Sequence, residues 1–374
     1  ADPVDIFVNG RLVARGEANG REPGLPGQHP STHVDPDEQI RQLDRLDELP
    51  PVGGEASPAA QQERTESKVR LSAQIREGYL HSAHLSGQAP PLPSFRAAKI
   101  RRRLQAAPPG ERNFSGLNLI GADLSGMDLR GANFSAATLT DANLSDAQLD
   151  DCDFSRAVLV RANMTRTSFT RARFDTSNLA QAVLQDTVLS KAQLRDVNCQ
   201  GIHFTGCKLD GVLFERTDFL HCAFTRCDMR GSQWQQMTLL RLTLEDIALD
   251  GATISQTVWM ECGLQRVSFA DAKLTRCACV STDGSQGVSY AGAMLEACAF
   301  AQATTLASVW FRGAFLKQCS LRGTDLTNAD LGGVRLDGSD LSECILRGAQ
   351  LDRAIGGVSL FIRAVLTGAS LPYA

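Results

Sequence analysis

The chain has 374 residues, a formal net charge of −4 and a hydrophobic content of 43%. These are the values of an ordinary folded protein, and they exclude a largely disordered chain. No apolar run approaches the roughly 18 residues that a membrane-spanning helix needs, and no secretory signal is visible.

The first elements along the chain are a predicted hairpin and two linkers. Over residues 4–17, apolar residues alternate on both sides of Asn9 and Gly10, a pair that favours a two-residue hairpin turn. The stretch also resembles one hairpin of the SpoA domain of flagellar and type III secretion rings, over fourteen residues. Because the rest of that domain is absent, a lone β-hairpin is the preferred interpretation. Residues 18–34 and 50–58 are rich in Gly, Pro and Ser, which predicts linkers.

Three helices are predicted before residue 107. Apolar residues recur at three-residue intervals over residues 36–49, a longer helical pattern covers residues 59–85, and a short one covers residues 95–105. The third helix ends in the basic cluster Arg101, Arg102 and Arg103. Such a cluster contacts nucleic acid or an acidic partner, or, more often, is simply a solvated helix face, and we keep these arginines as candidate partner-binding residues.

A five-residue repeat begins at Phe114. A large apolar residue recurs every five positions to Cys279, a small residue stands two positions earlier, and Asn or Asp often lies between them. This period fits neither an α-helix nor a flat strand. Each unit is therefore predicted to be a short extended segment followed by a corner made of residues that favour turns. Aromatic residues recur at twenty residues, which predicts four pieces in each turn of a solenoid. The aromatic positions are Phe114, Phe134, Phe154, Phe174, Phe214 and Trp234.

The units resemble the pentapeptide-repeat family, whose pattern is Ala-(Asp/Asn)-Leu-x-x. The clearest copies are Ala122-Asp123-Leu124, Ala132-Asn133-Phe134, Ala142-Asn143-Leu144 and Ala329-Asp330-Leu331. The resemblance implies an all-β solenoid, a right-handed quadrilateral β-helix whose Ala and Leu or Phe positions point inward. We predict a β-helix of about 12 coils over residues 108–374. A partly helical, linker-rich N-terminal region, residues 1–107, precedes it.

The repeat changes register twice. The regular beat is lost over residues 280–292 and resumes one residue out of step at Leu295, Phe300, Thr305 and Trp310. A second slip of one residue precedes Leu316. We predict a protruding loop at residues 280–294, with Asp283 and Tyr290 as candidate partner-binding residues, because loops on rigid scaffolds often carry function.

The two ends of the solenoid differ in their predicted covering. Ile100 and Leu104 precede the first repeat and are suited to cover its open end, because solenoids need caps. The repeats continue to Leu371. An uncapped end exposes apolar core and strand edges, so we expect an end-to-end homodimer through the C-terminal coil or a partner seated on it.

The eleven cysteines all fall on inward repeat positions. Nine replace the small residue, whereas Cys199 and Cys279 replace the large one. Buried cysteine behaves as a small hydrophobe, so we predict structural thiols rather than disulfides or metal ligands. No metal, cofactor or catalytic site is expected, because no phosphate loop, zinc-protease motif or nucleophile elbow is present.

Outward charges form a predicted ladder. Arg156, Arg161, Arg166 and Arg171 occupy one outward position on four successive units, and Asp residues stand twenty positions before the last three. The aspartates are Asp141, Asp146 and Asp151. We expect these charges to pair between coils, and we keep the arginine belt as a candidate partner-binding surface.

These observations favour a noncatalytic protein–protein interaction scaffold. The family resemblance implies, as an alternative, a DNA mimic that acts on DNA gyrase or topoisomerase. Mimicry needs a sustained negative surface, and a net charge of −4 interrupted by an arginine belt is a poor imitation of DNA. Nucleic acid is therefore not an expected partner. The N-terminal extension resembles those of accessory proteins of bacterial secretion systems, type VI loading proteins in particular, and of secreted effectors that dock on a host protein. The expected location is the bacterial cytoplasm, with any export independent of a signal peptide.

Overall fold

The computed structural model describes residues 4–8, 11–16, 33–47, 58–90, 92–301 and 304–374. At the N-terminus, strands β1 (Val4–Val8) and β2 (Arg11–Gly16) pair in an antiparallel hairpin, which confirms that prediction. Its predicted Asn9-Gly10 turn lies outside the described residues. The predicted linkers lie almost entirely outside them as well.

Three helices follow, as the apolar spacing predicts. They are α1 (Pro36–Asp47), α2 (Pro58–Ser82) with a 3-10 turn at Ala83–Leu85, and α3 (Ser94–Ala106). The Asp35 carboxylate accepts a hydrogen bond from the Asp37 backbone N–H at 2.9 Å and so caps the start of α1. Pro93 precedes α3, and its fixed φ suits the entry to a helix. Among the described residues, no helix combines the length and apolar character needed to cross a membrane.

The rest of the described chain is a parallel β-solenoid, which confirms the predicted fold class. Most backbone bridges join residues twenty positions apart, and those that cross a register slip join residues 21 or 22 apart, so four five-residue units make one turn. Along one side the bridged residues are Asn113, Asn133, Asp153, Arg173, Gln193, Leu213, Gln233, Thr253, Lys273, Met294, Phe315, Arg335 and Ile355. We call the bridged position of each unit its rung residue, and the four sides faces 1 to 4. Their rung residues run from 113 to 355, 118 to 360, 123 to 365 and 128 to 370.

Some of the straight pieces are long enough to form strands. In chain order these are β3 (Leu184–Gln185), β4 (Gln193–Arg195), β5 (His203–Thr205), β6 (Leu213–Glu215), β7 (Ala223–Thr225), β8 (Gln233–Gln235), β9 (Thr238–Leu240), β10 (Thr243–Ala248), β11 (Thr253–Ser255), β12 (Val258–Met260), β13 (Gly263–Ser268), β14 (Lys273–Thr275), β15 (Ala278–Val280), β16 (Asp283–Gln286), β17 (Met294–Glu296), β18 (Ala299–Ala301), β19 (Phe315–Lys317) and β20 (Arg335–Asp337). They form parallel sheets of eight strands on face 1, four on face 2 and six on face 3.

The interior is filled by the small and large inward positions of each unit. The predicted aromatic ladder is confirmed: Phe134, Phe154 and Phe174 stack with ring centroids 5.1 and 5.2 Å apart. Further along, Phe214 lies 4.9 Å from Trp234. These rings are fully buried. Because each inward side chain packs mainly on its equivalents one turn away, the core is a continuous column.

The prediction of a protruding loop at residues 280–294 is wrong. This segment forms part of the solenoid wall: β16 pairs with β13, Ser289 bridges Ser268, and the extra residue is absorbed as a register shift within the β13–β16 pair. Tyr290 occupies a large inward position, 1% exposed, and stacks between Phe269 and Phe311 at 4.8 and 5.0 Å. A buried ring cannot contact a partner, so Tyr290 is a core residue.

The second register slip also lies earlier than predicted. Trp310 is a rung residue on face 4 and is 54% exposed, whereas its neighbour Phe311 is buried. Likewise Thr305 is a rung residue and Leu306 is buried. The slip therefore falls between Phe300 and Leu306. The prediction failed because two large residues stand side by side at Trp310 and Phe311, and size alone does not show which one points inward.

The first turn is covered by α3. Leu104 is 1% exposed and belongs to the same core cluster as Phe114, and Ile100 packs against that cluster. The prediction that these two residues cover the N-terminal end of the column is confirmed. This contact keeps the first inward side chains out of water.

Candidate functional site

The arginine belt lies at corners of the solenoid. Arg156, Arg161, Arg166 and Arg171 have φ angles of 60°, 56°, 55° and 60°, in the left-handed region. A residue with a Cβ adopts this conformation at a cost of about 1–2 kcal/mol. The corner conformation is therefore imposed by the repeat. It places the four side chains at successive corners around one turn.

The predicted charge ladder is confirmed. Arg166 pairs with Asp146 at 2.7 Å and Arg171 with Asp151 at 2.6 Å, each from one turn to the next. Hydrogen bonds from these arginines lower the pKa of both carboxyl groups. All four side chains are about half exposed. Exposed ion pairs of this kind contribute little to stability. Because their side chains are exposed, Arg166 and Arg171 remain accessible to a partner.

The third pair of the ladder is buried beneath another part of the chain. Arg161 and Asp141 pair at 2.8 Å with side chains only 18% and 7% exposed. The Arg161 guanidinium also donates hydrogen bonds to the carbonyl oxygens of Ser86 and Gly87, both at 3.1 Å. Asp141 accepts a hydrogen bond from the Ala89 backbone N–H at 2.8 Å. This corner therefore holds a polypeptide backbone.

The polypeptide that it holds is residues 77–89, the end of α2 and the turn after it, which we call the docked segment. Its apolar contact with face 2 forms a second core cluster, made of Tyr79, Leu80, Ala83, Val158, Val160 and Ala180, with Val34 packed against it. The Tyr79 hydroxyl donates a hydrogen bond to Thr140 Oγ1 at 2.9 Å, and Asn178 Nδ2 donates one to the Leu80 carbonyl at 2.7 Å. Burial raises the pKa of Tyr79, so the hydroxyl stays protonated as a donor.

Polar contacts at both ends fix the docked segment. Arg156 pairs with Glu77 at 2.5 Å, and this hydrogen bond lowers the pKa of the Glu77 carboxyl. At the other end, Arg161 and Asp141 hold the backbone of Ser86, Gly87 and Ala89. Between these contacts, burial lowers the pKa of His84. The belt therefore divides: Arg156 and Arg161 hold this segment, whereas Arg166 and Arg171 face solvent.

The basic cluster of α3 also divides. Arg101 donates hydrogen bonds to the carbonyl oxygens of Asp123 and Ser125, at 3.3 and 2.8 Å. It therefore anchors α3 to the first turn. Arg102 and Arg103 are exposed. Asp283, the remaining predicted site residue, is an exposed rung residue on face 3, between Gly263 and Thr305. The structure does not bring Asp283 together with the arginines of the belt or of α3.

The cysteines do not form a metal or disulfide framework within the described residues. All eleven cysteines are free and buried, and no group of three or more His, Cys, Asp or Glu residues in the described chain is arranged to hold a metal ion. Most of these thiols hydrogen-bond a carbonyl of the preceding turn, as Cys152 does with Leu129 at 3.1 Å. A surface depression of about 440 Å³ is lined by Ser255, Gln256, Thr275, Arg276, Glu296, Ala297 and Gln318.

The main contact surface inside the protein was missed from the sequence. Tyr79, Thr140 and Asn178 were not candidates, because they lie in segments far apart along the chain. A signal was nevertheless present. Val158, Val160 and Ala180 are apolar at outward repeat positions, where most units carry polar residues. Apolar residues that recur on one outer face indicate a covered surface.

The family models agree with this architecture. A model described as "Pentapeptide repeat region" matches residues 147–221, and one described as "Pentapeptide repeats (8 copies)" matches residues 113–146, 302–338 and 319–355. No curated protein matches the sequence.

Among solved structures, one that is similar to this chain is HetL, a pentapeptide repeat protein involved in heterocyst differentiation regulation from the cyanobacterium Nostoc sp. strain PCC 7120. It has 22% identity over 74% of this chain and 96% of that one, with a TM-score of 0.21. QnrB1, a plasmid-mediated fluoroquinolone resistance protein, has 16% identity over 57% and 92% of the two chains, with a TM-score of 0.21. A pentapeptide repeat protein from the Arabidopsis thaliana thylakoid lumen has 24% identity over 31% and 66%, with a TM-score of 0.15.

Proposed function

Because the chain belongs to the pentapeptide-repeat family, we propose that it is a noncatalytic protein–protein interaction scaffold. The solenoid supplies a rigid support whose outward positions are free to vary, since the inward positions alone hold the core together. Function in such a molecule depends on which outward side chains make a surface that a polypeptide can recognise.

The observation that supports this proposal is the docked segment itself. Face 2 binds residues 77–89 through a small apolar cluster, together with hydrogen bonds that Arg161 and Asn178 donate and one that Asp141 accepts. Apolar contact surrounded by hydrogen bonds to the backbone is also how proteins bind one another. A face that already binds one polypeptide by these means is suited to bind others.

We further propose, from the sequence, that the partner belongs to a bacterial secretion system, with type VI favoured, and that any export is independent of a signal peptide. The exposed Arg102 and Arg103 of α3, together with Arg166 and Arg171 of the belt, are the surface charges offered to it. The association stays a prediction that rests on the N-terminal extension.

A quantitative pull-down from native lysate, with the full chain as bait, tests both the scaffold function and the association with a secretion system. Removal of residues 1–105 would uncover the core beneath Leu104, so charge reversals are the better probes. Arg102→Glu with Arg103→Glu should lower partner capture at least about fivefold if the basic cluster recruits it, a loss of about 1 kcal/mol. Arg64→Glu with Arg70→Glu, on the exposed side of α2, makes the same change of charge and should lower capture less than about twofold.

The identity of the captured proteins separates the alternatives. Secretion-apparatus proteins that bind the purified chain saturably support the adaptor function, and a host protein supports an effector. DNA gyrase subunits would favour the DNA-mimic alternative instead. Failure of the purified chain to bind any captured protein saturably contradicts the scaffold proposal itself.

We also propose that the C-terminal coil binds a second copy of the chain. The last turn exposes apolar side chains: Ile355, Val358, Leu360, Ile362, Leu366, Leu371 and Tyr373. Sedimentation velocity over a range of concentrations tests the proposal, with Ile362→Asp as the variant that should shift the protein to monomer. A monodisperse wild-type monomer at high concentration contradicts it.

A further inference from the structure

Face 2 carries an apolar patch beyond the docked segment. The outward side chains of β9, β12, β15 and β18, preceded by Leu220, form it: Thr238, Leu240, Val258, Met260, Ala278, Val280, Ala299 and Ala301. We call this set the face 2 patch. Met260 is 37% exposed, and the other members are half-buried. With Leu220, eight of its nine members are apolar, and Asp218, the exposed rung residue of the same turn as Leu220, lies at the edge of the patch.

Faces 1 and 4 are more polar than face 2 at the same height. On face 1 the rung residues of the three middle turns are Gln233, Thr253 and Lys273, with Leu213 and Met294 on either side of them. On face 4 the outward positions include Asp228, Arg230 and Asp250. The repeat constrains the inward positions only, so nothing in the fold requires face 2 to be apolar. An apolar area confined to one face indicates a surface that is covered in use.

We propose that the face 2 patch binds one amphipathic α-helix of a partner protein, laid along the axis of the solenoid. This inference deepens the proposed scaffold function and rests on it. The helix presents small and medium aliphatic side chains to the patch and a polar side to solvent.

The dimensions of the patch fit a single helix. Five rungs at about 4.8 Å extend about 24 Å along the axis, the length of about 16 helical residues. The width of a three-residue strand, about 10 Å, equals the diameter of a helix with its side chains. The helical pitch of 5.4 Å is also close to the rung spacing, so each turn of the helix meets about one rung.

The same face already binds a helix end in this way. Tyr79, Leu80 and Ala83 of the docked segment pack on Val158, Val160 and Ala180 of face 2. The patch begins two turns beyond Ala180, at Leu220. The proposed helix therefore lies further along the same face that already binds a helix end within the chain.

The rim of the patch is polar. Arg241 pairs with Glu261 at 2.7 Å along one corner, and Gln236, Gln256 and Arg276 line the other corner. An apolar centre within a polar rim is the usual anatomy of a protein interface.

The area of the patch disfavours a second copy as the occupant. About 24 by 10 Å gives roughly 250 Å² on each partner. A stable dimer buries about 1,200–2,000 Å² in total. Two patches face to face would bury well under half of that, whereas a helix wraps its side chains over both rims.

A selection for helical peptides tests the proposal directly. The probe is a phage-displayed library of sixteen-residue amphipathic helices, randomised on the apolar side and selected on the wild-type full chain. Selected peptides should lose at least about tenfold in affinity for Val258→Asp, a loss of about 1.4 kcal/mol. They should lose less than about twofold for the matched control Thr253→Asp, which makes a similar change at the rung position of face 1 in the same turn. Ala278→Asp provides a second variant if Val258→Asp folds poorly. Circular dichroism should show a gain of helix on binding.

Three outcomes would overturn the inference. The first is that no peptide from the library is enriched on the wild type relative to Val258→Asp. The second is that the selected peptides bind without forming a helix. The third is that the wild type dimerises whereas Val258→Asp is a monomer. The lysate pull-down separates this failure from failure of the scaffold function. If wild type and Val258→Asp capture a partner equally, the proposal that the face 2 patch binds a helix is wrong and the scaffold proposal is unaffected. If the chain binds no protein at all, both proposals are wrong.

Discussion

The small inward position accepts two kinds of side chain for two physical reasons. Alanine fills it by size. Cysteine, threonine and serine also donate a hydrogen bond to a carbonyl of the preceding turn: Cys344 reaches Leu321 at 2.8 Å, Thr167 reaches Leu144 at 2.7 Å and Ser339 reaches Leu316 at 3.0 Å. The cysteines are therefore more than fillers, because they join successive turns as hydroxyl groups do.

Burial should make these thiols unreactive. Desolvation raises the pKa of Cys152 and Cys222 to about 12 and that of Cys262 and Cys344 to about 11. Since the thiolate is the reacting form, we expect native protein at pH 8 to consume almost none of a thiol reagent such as Ellman's reagent. Protein unfolded in guanidinium should consume eleven equivalents. Rapid modification of even one thiol in the native protein would contradict the buried assignment.

Outward carboxylates should set the stability of the protein at low pH. A hydrogen bond from Arg130 lowers the pKa of Asp128 from its ordinary 3.8 to about 2, and Arg partners also lower the pKa of Asp146, Asp151 and Asp196. A carboxyl whose pKa is lower in the folded state stabilises that state above its unfolded pKa. This contribution is lost as the pH falls from about 4 to about 2.

The melting temperature measured from pH 5 to pH 2 tests this dependence. We expect little change above pH 5 and a fall below about pH 4, since the unfolded carboxyls then bind protons first. Arg130→Gln should make the fall shallower, because it returns the pKa of Asp128 toward its ordinary value. Arg103→Gln, at an exposed position of α3, is the control and should leave the slope unchanged.

At the scale of an element, two arginines of the belt make the same ion pair in different surroundings. Arg161 is buried with Asp141 and holds the docked segment, whereas Arg166 pairs with Asp146 in solvent. Loss of one partner of a buried pair leaves an uncompensated charge and costs about 3–5 kcal/mol. Exposed pairs contribute about 0–1 kcal/mol.

We therefore predict that Arg161→Ala detaches the docked segment and Arg166→Ala does not. Hydrogen exchange over residues 77–89 should rise at least about tenfold in Arg161→Ala, corresponding to about 1.4 kcal/mol of local stability. The same segment should keep wild-type protection in Arg166→Ala. Equal exchange in the two variants would show that the apolar cluster alone holds the segment.

The sequence predicts the elements better than their contacts. The period of five residues and the recurrence of aromatics at twenty are local patterns, so the turn of four units could be predicted directly. The first register slip was placed correctly within residues 280–292. The second could be detected but not placed, because Thr305 and Leu306, like Trp310 and Phe311, offer two neighbouring candidates for one inward position. Backbone pairing decides between them. The docking of Tyr79 against Thr140 depends on the fold as a whole, and only the outward apolar residues of face 2 indicated it.

At the scale of the whole molecule, the solenoid is stabilised by contacts between neighbouring turns. Phe154 packs on Phe134 and Phe174, one turn to either side, and on Phe169 in its own turn at 5.6 Å. Stability in such a structure is approximately a sum of unit terms and nearest-neighbour terms. Damage at one turn should therefore stay local, unlike damage to the core of a globular domain.

Hydrogen exchange of two matched variants tests this locality. Phe154→Ala removes a fully buried ring from the stack and should cost about 3–5 kcal/mol. We expect faster exchange near residues 134–174, with wild-type protection near residues 330–350. Phe311→Ala, which breaks the stack with Tyr290, should instead speed exchange near residues 290–331 and leave residues 134–174 protected. Uniform loss of protection in either variant would mean that the solenoid unfolds as one cooperative unit. The rigidity that we assign to the scaffold would then depend on every turn, and binding at face 2 would stabilise the distant end as well.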